Sequence, residues 1–284
     1  MTSKAFCPGH ITGFFTLPEE KQSFVKTGSM GAGFSIGLGA TSKVDVGGKG
    51  WTVRVNGEKT SFLVVEKTLL NIAKGGEIDI DTEVPFSQGF GMSGACALSA
   101  AMAALEDTGS DTGRALKLAH RSEVFCRTGL GDVIAQFNGG FEIRKKEGLP
   151  PHGEIEKQTI EKEVVLAVLG LPLITPDILA DVQLAEWIKA IGGDLMEEYL
   201  PENGFDRFLD FSLRFAEETQ FIKNTIRKGL NAAEAFGKGS MSMIGNSVFF
   251  FGDIEGLKTA LEAEAGEDNV YLAEIDNKGA RIIE

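Results

Sequence analysis

The sequence predicts an α+β protein built in two parts, and three observations carry that reading. Strand-like alternation dominates the chain up to Val84, and helical patterns then take over. From residue 163 onward strands and helices alternate instead. Between these regions lies Glu147-Gly-Leu-Pro-Pro-His-Gly153, whose Pro-Pro pair and glycines read as a turn or linker. The expected units are therefore residues 1–150 and 151–284.

In chain order, strands are expected at 4–8, 33–39, 42–47, 51–56 and 61–65. Trp51-Thr-Val-Arg-Val55 alternates apolar and polar residues, and Asn56-Gly57 supplies a hairpin turn. A helix is expected at 66–74 and a strand at Glu77–Val84. Helices follow from about Ser93 to Glu106 and from Asp111 to Phe125, the latter with Ala115, Leu118, Ala119 and Val124 on one face. Phe141–Arg144 reads as a returning strand. The second unit reads as a strand at 163–170, helices at 176–191, 205–217 and 220–236, a strand at 247–251 and a helix at 254–264. A strand pair at 270–275 and 280–284 closes it.

The chain has 284 residues, enough for a sizeable core, with 43% hydrophobic and 24% charged residues. Its net charge of −13 and its lack of any long basic run argue against nucleic acid as a partner. Cys7, Cys96 and Cys126 are odd in number and widely spaced, and with His10, His120 and His152 they form no zinc-finger pattern. A reduced, cytoplasmic setting is expected. Residues 1–10 lack the apolar core of a secretory signal, and no apolar run approaches the ~20 residues that span a bilayer. Twenty phenylalanines furnish an apolar core or a homodimer interface without choosing between them.

The most informative stretch is Pro85-Phe-Ser-Gln-Gly-Phe-Gly-Met-Ser-Gly-Ala95 and the alanine-rich run behind it. Glycines allow close approach of a ligand to the main chain. The first amides of the following helix have no intrahelical partner, and its dipole favours negative charge there. Loop and helix together make an anion site, with Ser93 at the helix entrance to cap it, touch phosphate or ligate a cation. A Walker loop is excluded because no Lys-Ser or Lys-Thr pair follows. A dinucleotide fingerprint matches only loosely, and a tight turn ahead of a buried helix is the plainer alternative.

The pattern Pro85, Gly89, Phe90, Gly91, Ser93, Gly94, Ala95 resembles the nucleotide loop of the GHMP kinases. Two further segments fall in that family's order. Ala5-Phe-Cys-Pro-Gly-His-Ile-Thr-Gly-Phe-Phe15 resembles its opening Pro-Gly segment, and Gly239-Ser-Met-Ser-Met-Ile-Gly-Asn-Ser247 resembles, with fewer glycines, its C-terminal motif. Together with Ser29-Met-Gly-Ala-Gly33, the combination looks most like the archaeal branch that phosphorylates pantoate on the route to coenzyme A.

The resemblance implies a two-domain fold, with a ribosomal protein S5 domain 2-like first domain and a ferredoxin-like second domain. It implies an ATP- and Mg²⁺-dependent small-molecule kinase. Pro85, Gly89, Phe90, Gly91, Met92, Ser93, Gly94 and Ala95 would hold ATP, and Ser93 and Glu123 would share the metal. Thr128-Gly-Leu-Gly-Asp132 matches the loop carrying a catalytic base in some members, which makes Asp132 the expected base. Some members carry a lysine after the Pro-Gly, where this chain has His10. His10, Thr12 and Ser29 are expected in the acceptor pocket. Of Arg121, Arg127 and Arg144, Arg127 is the first choice to pair with the acceptor's carboxylate. The plainer alternatives are a packed His10, a turn-capping Asp132, and a solvated Glu123 and Arg127. Shikimate, homoserine or mevalonate are the alternative acceptors, and a non-catalytic nucleotide-binding protein is the alternative class.

Overall fold

The computed structural model describes residues 3–18, 23–106, 111–173 and 181–284. Its larger sheet starts with two long antiparallel strands, β1 (Ser3–Thr16) and β2 (Met30–Val46). β2 replaces the two strands expected at 33–39 and 42–47, and serves two neighbours along its length. Residues 31–34 pair with β6 (Phe141–Lys146), and residues 40–46 pair with β5 (Gly75–Thr82). β3 (Gly50–Val55) runs parallel to β5 and forms a hairpin with β4 (Glu58–Lys59) across the Asn56-Gly57 turn.

The strand expected at 61–65 is instead the start of helix α1 (Leu63–Leu70). Its apolar run looked extended, but Val64, Val65, Thr68 and Leu69 bury one helical face. Glu66 reaches back to accept from the Phe62 N–H (3.0 Å) and from Ser61 Oγ, which satisfies the helix entrance. Helix α2 (Met92–Glu106) is buried on nearly every side, lying on β1 and β2 and beneath α1 and α3 (Thr112–Cys126). Its alanines allow this close packing. α4 (Asp132–Asn138) follows the second glycine loop.

The turn at 147–153 does not end the larger sheet. β7 (Glu154–Gln158) pairs with β6 beyond it. The smaller sheet has the order β11-β8-β10-β9, all antiparallel, from β8 (Glu163–Val168), β9 (Gly237–Met241), β10 (Ser247–Gly252) and β11 (Val270–Glu274). The expected closing strand pair does not form. β11 pairs with β8, whereas β12 (Arg281–Ile282) crosses to β1 in the larger sheet. The Asp276 carboxylate accepts the amides of Lys278 and Gly279, turning the chain between the two sheets.

Helices α5 (Val182–Tyr199), α6 (Phe205–Glu218), α7 (Asn224–Ala233) and α8 (Ile254–Ala265) complete the fold. The start of the helix expected at 176–191 lies outside the described residues. Phenylalanines weld the two sheets together. Phe34 of β2 meets Phe249 of β10 edge-on at 5.3 Å, and Phe208 of α6 lies within about 6 Å of Phe14, Phe34, Phe141 and Phe249. Such pairs add about 0.5–1.5 kcal/mol each beyond their burial.

Candidate active site

Where β1, the glycine loop, the 128–132 loop and the β9–β10 turn converge, they enclose a cavity of about 310 Å³. The glycine loop forms one wall through Gly89, Phe90, Gly91, Met92 and Ser93. The loop is held from three directions. The His10 N–H of β1 donates to Phe90 O (3.0 Å), and Gln136 Nε2 of α4 donates to Gly91 O (2.8 Å). From the smaller sheet, Ser247 Oγ donates to Gln88 O (2.5 Å). Gly91 sits at φ +61, and a Cβ there would lie 2.9 Å from Gln136 Nε2, so a side chain is excluded by both conformation and space. The first intrahelical bond is Ala95 N–H to Gly91 O (3.1 Å), leaving the amides of Met92, Ser93 and Gly94 at the helix mouth.

The third motif, thin in glycine, meets this loop directly. A Cβ on Gly245 would overlap the Gln88 backbone. Met243 and Ile244 line the cavity, and the Met243 N–H donates to Thr12 O (2.9 Å). On another side Phe62 and Phe86 pair edge to face, 5.5 Å apart.

Two carboxylate clusters border the cavity. In the first, Glu123 is fully buried on α3, and Oε1 accepts from Ser93 Oγ (2.6 Å) and Thr128 Oγ1 (2.8 Å). Among the described residues, its Oε2 is buried without a partner. Burial pushes its carboxyl up to about 7, against the pull of the two hydroxyls, and nearby Asp132 adds to the rise. In the second cluster Asp132 Oδ1 lies 2.8 Å from His10 Nδ1, while His10 Nε2 lies 2.9 Å from Glu142 Oε1. Arg144 Nη1 donates to the same Glu142 oxygen. Arg144 Nε donates to Ser29 O (3.2 Å), and Nη2 is 3.5 Å from Thr12 Oγ1. Burial pulls the His10 imidazole down, but its bonds to Asp132 and Glu142 outweigh this and leave it raised above 6.5.

The expected residues therefore gather at one cavity, with one exception. Thr12, Ser29, Ser93 and Asp132 line it, His10 sits behind Asp132, and Glu123 sits behind Ser93. Pro85, Gly94 and Ala95 flank or follow the wall as loop and helix scaffold rather than lining it. Arg127 does not belong to this group: it caps α3 in a left-handed conformation (φ +57) and points to solvent. The arginine beside Thr12 and Ser29 is Arg144, because β6 pairs with residues 31–34 of β2 and brings it there. Glu142, Gln136 and Thr128 were not anticipated. Glu142 left a trace in Phe141-Glu-Ile-Arg144, where a charged pair shares one face of a strand whose first four residues are all buried.

The GHMP kinases N terminal domain model matches residues 59–140. A pantoate kinase of Methanocaldococcus jannaschii is 34% identical over 266 residues, covering 90% of this chain and 95% of that protein. This chain belongs to the GHMP kinase family, in the branch of the pantoate kinases. A second pantoate kinase, from Thermococcus kodakarensis, is 32% identical over 88% of this chain and 87% of its own length. Among solved structures, a phosphotransferase related to the CoA biosynthesis pathway superposes with a TM-score of 0.86 at 27% identity, over 100% of this chain and 99% of that one. The Methanococcus jannaschii mevalonate kinase superposes with a TM-score of 0.67 at 13% identity, over 97% and 98% of the two chains, a likeness of fold alone. The two-domain fold expected for a GHMP kinase is thus the fold of this chain. Among the described residues, no helix is long and apolar enough to cross a membrane.

Proposed function

We propose that this chain is a pantoate kinase, transferring the γ-phosphoryl group of ATP to the primary hydroxyl of pantoate to give 4-phosphopantoate. The observation that carries the reading is that Asp132 and the glycine loop line one cavity, in a chain of this family. A phosphate at the mouth of α2 and a hydroxyl beside Asp132 then share one cavity, which brings the reacting groups together.

The amides of Met92, Ser93 and Gly94, with the α2 dipole, hold the phosphate charge. Ser93 Oγ and the orphaned Glu123 Oε2 are two hard oxygen donors that fit Mg²⁺, which keeps most of its ligands as water. Bound there, Mg²⁺ supplies charge neutralisation on the phosphates. Asp132 keeps Oδ1 on His10 and takes the hydroxyl proton on Oδ2 as the acceptor oxygen bonds to the γ-phosphorus and the bond to ADP breaks. Thr12 and Ser29 orient the acceptor, and Arg144 braces them from behind through Thr12 Oγ1 and Ser29 O. The two units remain residues 1–150 and 151–284, with β7 of the second pairing back onto β6 of the first.

Purified protein with ATP and Mg²⁺, offered pantoate, shikimate, homoserine and mevalonate in turn, tests the reading through ADP release. Turnover with pantoate above the others is expected. Preference for another acceptor would sink the substrate assignment, and turnover with none would favour a nucleotide-binding protein.

A further inference from the structure

Glu142 is a wholly buried carboxylate that the phosphoryl transfer itself leaves without a task. An unpaired buried charge costs several kcal/mol, so its surroundings must explain it. Oε1 meets His10 Nε2 and Arg144 Nη1, and Oε2 has no partner among the described residues. The groups facing the His10 ring are Asp132 from α4 and Glu142 from β6, with Arg144 one step behind. An ionised carboxylate only accepts hydrogen bonds. With one carboxylate at each nitrogen, the ring satisfies both only by donating from both, as an imidazolium. Asp132, His10, Glu142 and Arg144 then alternate in charge, and each buried ion lies against its opposite.

We propose that Glu142 is a positioning residue that holds His10 doubly protonated and locked against Asp132 Oδ1. His10 then acts as a fixed cation and not as a base, and Asp132 Oδ2 alone is free to take the acceptor's proton. The inference rests on Asp132 as the proton acceptor. Burial works against the ring's charge and Asp132 and Glu142 together offset it, so losing Glu142 removes one of its two supports. Arg144 in turn compensates Glu142, so the charge balance closes inside the protein.

Nitrogen NMR of the whole protein labelled at histidine tests the first half without any turnover, with His10→Gln identifying the signal. Both ring nitrogens of His10 should carry protons at pH 7, and a neutral tautomer there overturns the proposal. Glu142→Gln tests the second half. It should lower kcat by about tenfold or more, with the KM for ATP within about twofold. The alkaline limb of the kcat profile should move down by about one pH unit, since the ring now loses its proton earlier. An unmoved alkaline limb overturns the proposal, whatever the rate. Should Glu142→Gln fail to fold, Glu142→Asp keeps the charge, and it should retain the limb within a few tenths of a unit of wild type. A displaced limb there would count against the proposal. If Asp132→Asn left turnover intact, the reading of Asp132 would fail while the protonation state of His10 stood as measured.

Discussion

The two carboxylate clusters that border one cavity are balanced in opposite ways. Around His10, four charged side chains alternate in sign, and each has an oppositely charged neighbour within hydrogen-bonding distance. Around Glu123 there are only hydroxyls, and among the described residues no cationic side chain pairs with it. The first cluster is balanced in charge by protein groups alone, although Glu142 Oε2 too has no hydrogen-bond partner among the described residues. The second leaves one carboxylate oxygen unmatched, and burial raises its proton affinity to about 7. On the function proposed here, a cation from outside would sit at the cluster the protein has not neutralised, next to the phosphate loop.

The largest test of this contrast is Asp132→Asn. It keeps the contact to His10 but removes the proton acceptor, so kcat should fall by about 10²–10⁴-fold. ATP binding, followed by calorimetry, should persist, because the loop and Ser93 are untouched. Near-normal turnover would take Asp132 out of the base role.

Glu123→Gln probes the other cluster through stability. The folded-state pKa lies above the ordinary carboxylate value of 4.5, so the folded chain binds the proton more tightly than the unfolded one. This favours the fold at low pH and is lost as pH rises through about 4.5 to 7, on the order of 3 kcal/mol in all. Denaturant titrations should therefore show wild type losing stability relative to Glu123→Gln across that window. Added Mg²⁺ should restore wild type and not the variant, while equal pH profiles would contradict the contrast.

A smaller effect separates two arginines. Arg144→Lys keeps the charge opposite Glu142 but loses the fork to Ser29 and Thr12, so the KM for pantoate should rise by about tenfold with little change for ATP. Arg127→Ala, at an exposed helix end, should change either KM by less than about twofold. Equal effects from the two would show that Arg144 does not brace the acceptor pocket.

These arginines also mark how far the site could be read in one dimension. The loop at Gly89–Ala95 was legible because its chemistry is contiguous: glycines that admit a ligand stand directly before a helix start. Asp132 was singled out by the resemblance of Thr128–Asp132 to a family loop, and it lines the cavity. Arg127 was the first choice among the three arginines that flank the Asp132 loop in sequence. Its left-handed cap position turns it outward, while strand pairing between β2 and β6 carries Arg144 in from the other side. The same limit holds for the elements. Val64 and Val65 read as strand until the packing of α1 onto α2 and α3 decides their face. Residues 281–282 read as a partner of 270–274 until a sheet edge elsewhere claims them.

By itself the sequence determined the local devices: the glycine loop before an alanine helix, the second glycine loop before Asp132, and apolar periodicity enough for an α+β family fold. These depend on backbone conformation and on neighbours a few residues away, which a linear string records. Only the tertiary structure decided the charge balance. It set His10 between carboxylates 122 and 132 residues distant and left Glu123 with an oxygen unmatched. The energy of a buried charge depends on what surrounds it in space, and sequence separation carries no information about that.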